Sequence, residues 1–180
     1  MSNIHQRVVP RAQTVDKATF MARFGSIFEH SSWIAAQVWE QGLDSGELQE
    51  LHAAFSEVIL SADRERQLEL LRAHPQLASA IAGGEELTTE SRGEQRGAGL
   101  DQCSVAEFEE FEYLNSTYSD KFGFPFIIAV KGLGREQILE SFRTRLGNAP
   151  EEEFTEALEQ VIRIGKFRLQ DGAETTGSDT

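Results

Sequence analysis

Apolar residues recur along most of this chain at helical spacing. Phe20, Phe24, Ile27 and Phe28 stand at i, i+4, i+7 and i+8, which draws one apolar stripe down a helix. Ser31 and Ser32 are placed to cap a second helix, which carries Trp33, Ile34, Val38 and Trp39 and closes at Gly42. A third stripe runs through Leu48, Leu51, Phe55, Val58 and Ile59, and a fourth through Leu68, Leu70 and Leu71 to Ala73. Pro75 suits the first turn of a short helix with Leu77 and Ile81 inward, closed by Gly83-Gly84. Residues 91–98 read as one or two short turns. Ser104 caps a longer helix through Phe108, Phe111, Leu114 and Tyr118. Ile138, Leu139, Phe142 and Leu146 mark another, and Phe154, Leu158, Val161, Ile162, Gly165 and Leu169 mark the last.

The periodicity fails at one place. A polar helical segment ending at Lys121 meets Phe122-Gly123-Phe124-Pro125, and an apolar run over 126–130 follows without a helical period. Gly123 permits unusual backbone angles, and Pro125 disfavours helix at Phe124. The break leaves backbone N–H groups with no helical partner, and buried N–H groups need acceptors. A small polar ligand is a candidate acceptor. Strand alternation is scarce elsewhere. The expected class is therefore all-α, a single-domain bundle of about eight to nine helices over residues 14–170 with one irregular extended segment near 122–131. Residues 1–13 and 171–180 are polar and read as flexible tails.

Composition narrows the function classes. The chain has 180 residues, 39% apolar and 26% charged, which suits one domain with a substantial core. Its longest apolar run is too short to span a bilayer. The opening Met-Ser-Asn-Ile-His-Gln-Arg has no apolar stretch of the secretory kind, and the single Cys103 fits a reducing compartment, so a cytoplasmic location is expected. A net charge of −13 argues against nucleic acid or an anionic membrane as partner. The acidic runs 107–112 and 151–159 read as solvated helix faces. Cys103 reads as a small buried or half-buried residue rather than a nucleophile.

Four places could carry chemistry. His74 precedes Pro75 at a helix junction, where an imidazole can face a cavity and move a proton near neutral pH; a surface or capping histidine is the plainer reading. Ser91, Glu94 and Gln95 share one face of a helical turn and offer a hydroxyl, a carboxylate and an amide, a set suited to a ureido or amide group. The plainer reading there is a capping box, with Ser91 as N-cap and Glu94 at N3. Gly97-Ala98-Gly99 lacks the strand–turn–helix context of a phosphate loop. Arg168 lies among Ile164, Phe167 and Leu169, where a guanidinium can bind a carboxylate, either a ligand's or that of a nearby glutamate. Arg143 and Arg145 are weaker candidates for the same role. The four histidines show no metal spacing and no cofactor motif appears, so a reaction without metal or cofactor is expected.

Taken together these stretches resemble the OHCU decarboxylase family, where OHCU is 2-oxo-4-hydroxy-4-carboxy-5-ureidoimidazoline. The matching segments are residues 24–35 (FGSIFEHSSWIA), 73–78 (AHPQLA), 91–100 (SRGEQRGAGL), 114–118 (LNSTY) with 121–130 (KFGFPFIIAV), and 145–148 (RLGN). They stand in family order across about 16–170. The resemblance implies a helical fold, a homodimer, and cofactor-independent decarboxylation of a small-molecule substrate to (S)-allantoin during urate breakdown. It also implies residue roles. His74 corresponds to the catalytic histidine, with Pro75 beside it at the site. Ser91, Glu94 and Gln95 correspond to a substrate-binding turn, with Glu94 counted as catalytic. Phe126, Ile127, Ile128, Ala129 and Val130 form the segment that meets substrate through its backbone. Arg168 corresponds to a catalytic arginine by its distance from Arg145. The chain lacks a Ser-Lys-Leu-type ending, so a peroxisomal address is not expected.

Overall fold

A computed structural model describes residues 15–43, 46–79 and 87–175. Among these, eight α-helices and one short 3-10 turn appear: α1 Lys17–Phe24, α2 Trp33–Gln41, α3 Leu48–Ser61, α4 Arg64–Arg72, α5 Thr89–Gly97, the turn Leu100–Gln102, α6 Val105–Phe122, α7 Arg135–Arg145 and α8 Pro150–Thr175. The all-α class and the irregular segment after α6 agree with the sequence pattern. The expected helix does not begin at Pro75: residues 75–78 are not helical, and Ser79, the last described residue of that stretch, has 3-10 geometry. Ile81 and Gly83-Gly84, like residues 1–13, lie outside the described residues. The chain divides into two compact units, one within 1–67 and 162–180, the other within 68–161.

In the first unit α2 packs against α1 and α3. Asp16 caps α1 by accepting from the Thr19 amide at 2.8 Å. The helix stops at Phe24, short of the full stripe expected from sequence. Ile27 and Phe28 lie in the turn beyond, where His30 takes a left-handed φ of 47°. Phe28 still reaches the core: its ring meets Phe55 edge-on at 5.6 Å, and the rings of Phe20 and Phe24 lie tilted to each other at 4.8 Å. Neither serine caps α2 with its side chain. Ser32 holds the N-cap position in helical backbone, and Ser31 Oγ donates to the Glu29 carbonyl instead. The part of α8 from Ile162 onward closes this unit. A Cβ at Gly165 would lie 2.6 Å from the Phe28 ring, so only glycine allows this approach.

The second unit is built on α5, α6, α7 and the first half of α8. Thr88 caps α5 by accepting from the Ser91 amide, so Ser91 sits inside the helix and the capping box expected at Ser91 and Glu94 does not form. The expected box at Ser104 does form, with Glu107 returning the bond to the Ser104 amide at 2.8 Å. Helix α6 ends at Gly123 in the left-handed region, φ 78°. Around that end Tyr118 gathers the rings of Phe122, Phe124, Phe126 and Phe142. The tail expected from Asp171 is helical as far as it is described, because α8 runs on to Thr175 and each added residue of an existing helix gains a bond at little ordering cost. Residues 176–180 lie outside the described residues.

Candidate active site

His74 follows the last turn of α4 and is 7% exposed. Its Nδ1 lies 3.0 Å from the carbonyl of Leu70, one of the α4 carbonyls that the helix itself leaves without a partner. A carbonyl only accepts, so Nδ1 carries the proton. In the neutral ring, Nε2 then holds the lone pair. The Leu70 contact thus selects one tautomer and fixes the ring plane.

The stretch after His74 is held by side-chain amides instead of by helical bonds. Gln95, on α5, accepts from the Ala78 amide at 3.0 Å and donates to the Gln76 carbonyl at 3.4 Å. Asn115, on α6, donates Nδ2 to the Leu77 carbonyl at 2.9 Å. These contacts explain why no helix starts at Pro75: the groups that would form its first bonds are committed elsewhere. They also hold Ala78 at φ 61°, a left-handed angle that an alanine rarely adopts. Ser91 and Gln95, one turn apart on α5, are both buried, and Glu94 beside them is half-buried. Gln95 therefore ties the turn 91–95 to the loop that carries His74. Its carboxamide, read from sequence as a ligand group, holds backbone in this structure.

All five residues of 126–130 are buried. The Ala129 amide donates to Gln160 Oε1 at 2.9 Å. Among the described residues, the amides of Phe126, Ile127, Ile128 and Val130 make no bond to protein. The unpartnered amides expected from the sequence are thus present at four of five positions.

Behind this segment lies a polar cluster that sequence reasoning missed. Glu153 is fully buried, although the run 151–159 reads as a solvated face. Arg145 grips it through Nε at 3.0 Å and a terminal nitrogen at 2.6 Å, Asn148 donates to it at 2.8 Å, and the Tyr118 hydroxyl donates to it as well. The other terminal nitrogen of Arg145 donates to the Ile127 carbonyl at 2.7 Å, and its guanidinium lies 4.5 Å from the Phe126 ring centre. Burial, then the bond to Glu153, pushes the Tyr118 phenol well above its ordinary range.

Arg168 belongs to the first unit. It is buried and donates to the Ile27 carbonyl and to Glu29 Oε1, each at 3.0 Å. The glutamate pairing weighed for it from sequence is therefore real. Cys103 is half-buried with its Sγ 3.4 Å from the Leu100 carbonyl, and burial raises its thiol above the usual range, which suits a packing role.

Comparison with known proteins supplies the remaining context. The family described as OHCU decarboxylase matches residues 13–170. A 2-oxo-4-hydroxy-4-carboxy-5-ureidoimidazoline decarboxylase from Halalkalicoccus jeotgali is 40% identical over 157 residues, which are 87% of this chain and 86% of that protein. The uric acid degradation bifunctional protein of Bacillus subtilis is 41% identical over 157 residues, so the chain spans 31% of that longer relative. Among solved structures, a crystal structure of (S)-allantoin synthase superposes with a TM-score of 0.69 at 29% identity, over 89% of this chain and 52% of that one. A crystal structure of OHCU decarboxylase in the presence of (S)-allantoin gives 0.64 at 24% identity, over 87% and 97%, a likeness of fold.

Proposed function

Because the chain belongs to the OHCU decarboxylase family, we propose that it decarboxylates 2-oxo-4-hydroxy-4-carboxy-5-ureidoimidazoline to (S)-allantoin in urate degradation. The observation that carries the chemistry is the presence, in one unit, of a buried tautomer-fixed imidazole and of a buried segment in which four of five amides make no bond to protein among the described residues. Loss of CO2 breaks a carbon–carbon bond and leaves its electron pair on the ring. The adjacent C=N accepts that pair, and fixed N–H donors stabilise the charge as it develops. One such donor is worth about 3 to 4 kcal/mol in acyl-transfer enzymes.

His74 performs the proton transfer. Nε2 accepts the substrate 4-hydroxyl proton as the carbon–carbon bond breaks and returns it to the ring carbon that bears the ureido arm, so that the 4-oxygen becomes the product carbonyl, while the ring nitrogen that received the electron pair takes a proton from solvent. Delivery from one face sets a single enantiomer. Glu94 holds the ureido arm, with Ser91 and Gln95 on the same turn. Gln95 retains one N–H and one lone pair beyond its two backbone bonds. Pro75 and the 126–130 backbone line the ring. The assignment of Arg168 to the anionic or carbonyl edge of the substrate comes from the family resemblance alone. A grip on the leaving carboxylate that was equally strong before and during reaction would not speed it. The same resemblance supports a homodimer, and the lone cysteine supports a cytoplasmic location.

Fresh OHCU, made in place by upstream enzymes and followed by circular dichroism, tests this function. The expected result is (S)-allantoin forming well above the spontaneous rate, with CO2 released. A rate equal to background would indicate a non-catalytic scaffold. Release of ammonia or urea would indicate a hydrolase. For Glu94→Ala, a lower rate at unchanged thermal midpoint is expected; a change in stability alone would remove Glu94 from the site.

A further inference from the structure

The cluster around Glu153 has no part in the proton chemistry, yet one of its bonds enters the substrate-facing segment. Arg145 places a charged donor 2.7 Å from the Ile127 carbonyl. Among the described residues no cis peptide bond occurs, and in a trans peptide the carbonyl and the following N–H leave opposite edges of one plane. Holding Ile127 O toward the cluster therefore turns the Ile128 N–H away from it. A cation on the carbonyl also withdraws charge through the peptide, which makes that N–H a stronger donor. The neighbouring Ala129 N–H is already donated to Gln160, which is itself held by Glu156 at 2.8 Å.

Arg145 cannot drift from this position. Glu153 takes two of its nitrogens, Phe126 lies under the guanidinium, and Asn148 and Tyr118 fix Glu153 in turn. We propose that Arg145 is a positioning residue: with Glu153 behind it, it orients and polarises the Ile127–Ile128 peptide so that the Ile128 N–H is the donor that meets the charge developing on the substrate ring. The proposal rests on the decarboxylase reading of the site and narrows it to one amide.

Two measurements test it. In wild-type protein labelled with 15N, titration with (S)-allantoin should move the Ile128 amide proton downfield and leave Ala129 nearly still. Arg145→Lys keeps the charge but loses the rigid fork that reaches Glu153 and Ile127 together. It should lower kcat by about 10- to 100-fold with KM within about threefold, the signature of an interaction made in the transition state. The Ile128 shift should vanish with it. An Ile128 amide that stays still while other amides titrate would overturn the proposal, as would Arg145→Lys at wild-type kcat. If the lysine variant does not fold, the wild-type titration decides; if product binds too weakly to titrate, the kinetics decide. Wild-type protein that fails to convert OHCU at all would instead remove the reading on which the proposal stands.

Discussion

Gln95 carries out a task at the site that its residue type does not announce. Its carboxamide spans the Ala78 amide and the Gln76 carbonyl, and Ala78 holds a left-handed angle beside it. Gln95→Leu keeps the volume but leaves a buried N–H without an acceptor. Urea unfolding should show a loss of about 1 to 3 kcal/mol, and activity should fall further because the same loop positions His74. Legibility at this scale was uneven. His74, Glu94 and the 126–130 backbone stand out because residue type and chain break each point to chemistry. Glu153 was hidden in a run of glutamates, since its partners Tyr118 and Arg145 lie 35 and 8 residues away and only tertiary packing brings them to it. Asn115 was hidden for the same reason: its partner, the Leu77 carbonyl, is 38 residues away.

Elements were more legible where capping chemistry is local. The box at Ser104 and Glu107 is written in four consecutive residues and forms as expected. Ser104→Ala should destabilise the protein by about 1 kcal/mol, read as a lower denaturant midpoint with an unchanged slope. Two helix starts were misread. Thr88 takes the cap of α5 in preference to Ser91, and Ser31 bonds back to Glu29 instead of capping α2. Both outcomes turn on backbone angles that side-chain identity does not determine. The stripe through Phe28 misled for a different reason. Phe28 is a core residue, but it reaches the core from a turn, so helical spacing was preserved without the helix.

At the scale of the whole molecule, the apolar pattern gave the class, while the buried polar network gives the second unit its particular arrangement. That network should show itself in alkali. Burial and the bond to Glu153 raise the Tyr118 pKa above its ordinary 10.0 in the folded state. The folded protein then keeps its phenolic proton longer than the unfolded chain does. The stabilisation is complete below about pH 10, where the unfolded tyrosine is also protonated, and is lost progressively as pH rises beyond that value. Tyr118→Phe should flatten the fall in thermal midpoint between about pH 10 and 11.5, at the cost of lower stability near neutrality. An identical alkaline slope in both proteins would place the titration elsewhere.

The account as a whole stands on His74 as the group that moves the proton. The most direct measurement is the initial rate of (S)-allantoin formation from fresh OHCU by His74→Asn, followed by circular dichroism beside wild type at equal folded concentration. The rate should fall by about 10²- to 10⁴-fold, the range for loss of a general acid–base group. Undiminished formation of the same enantiomer would contradict it.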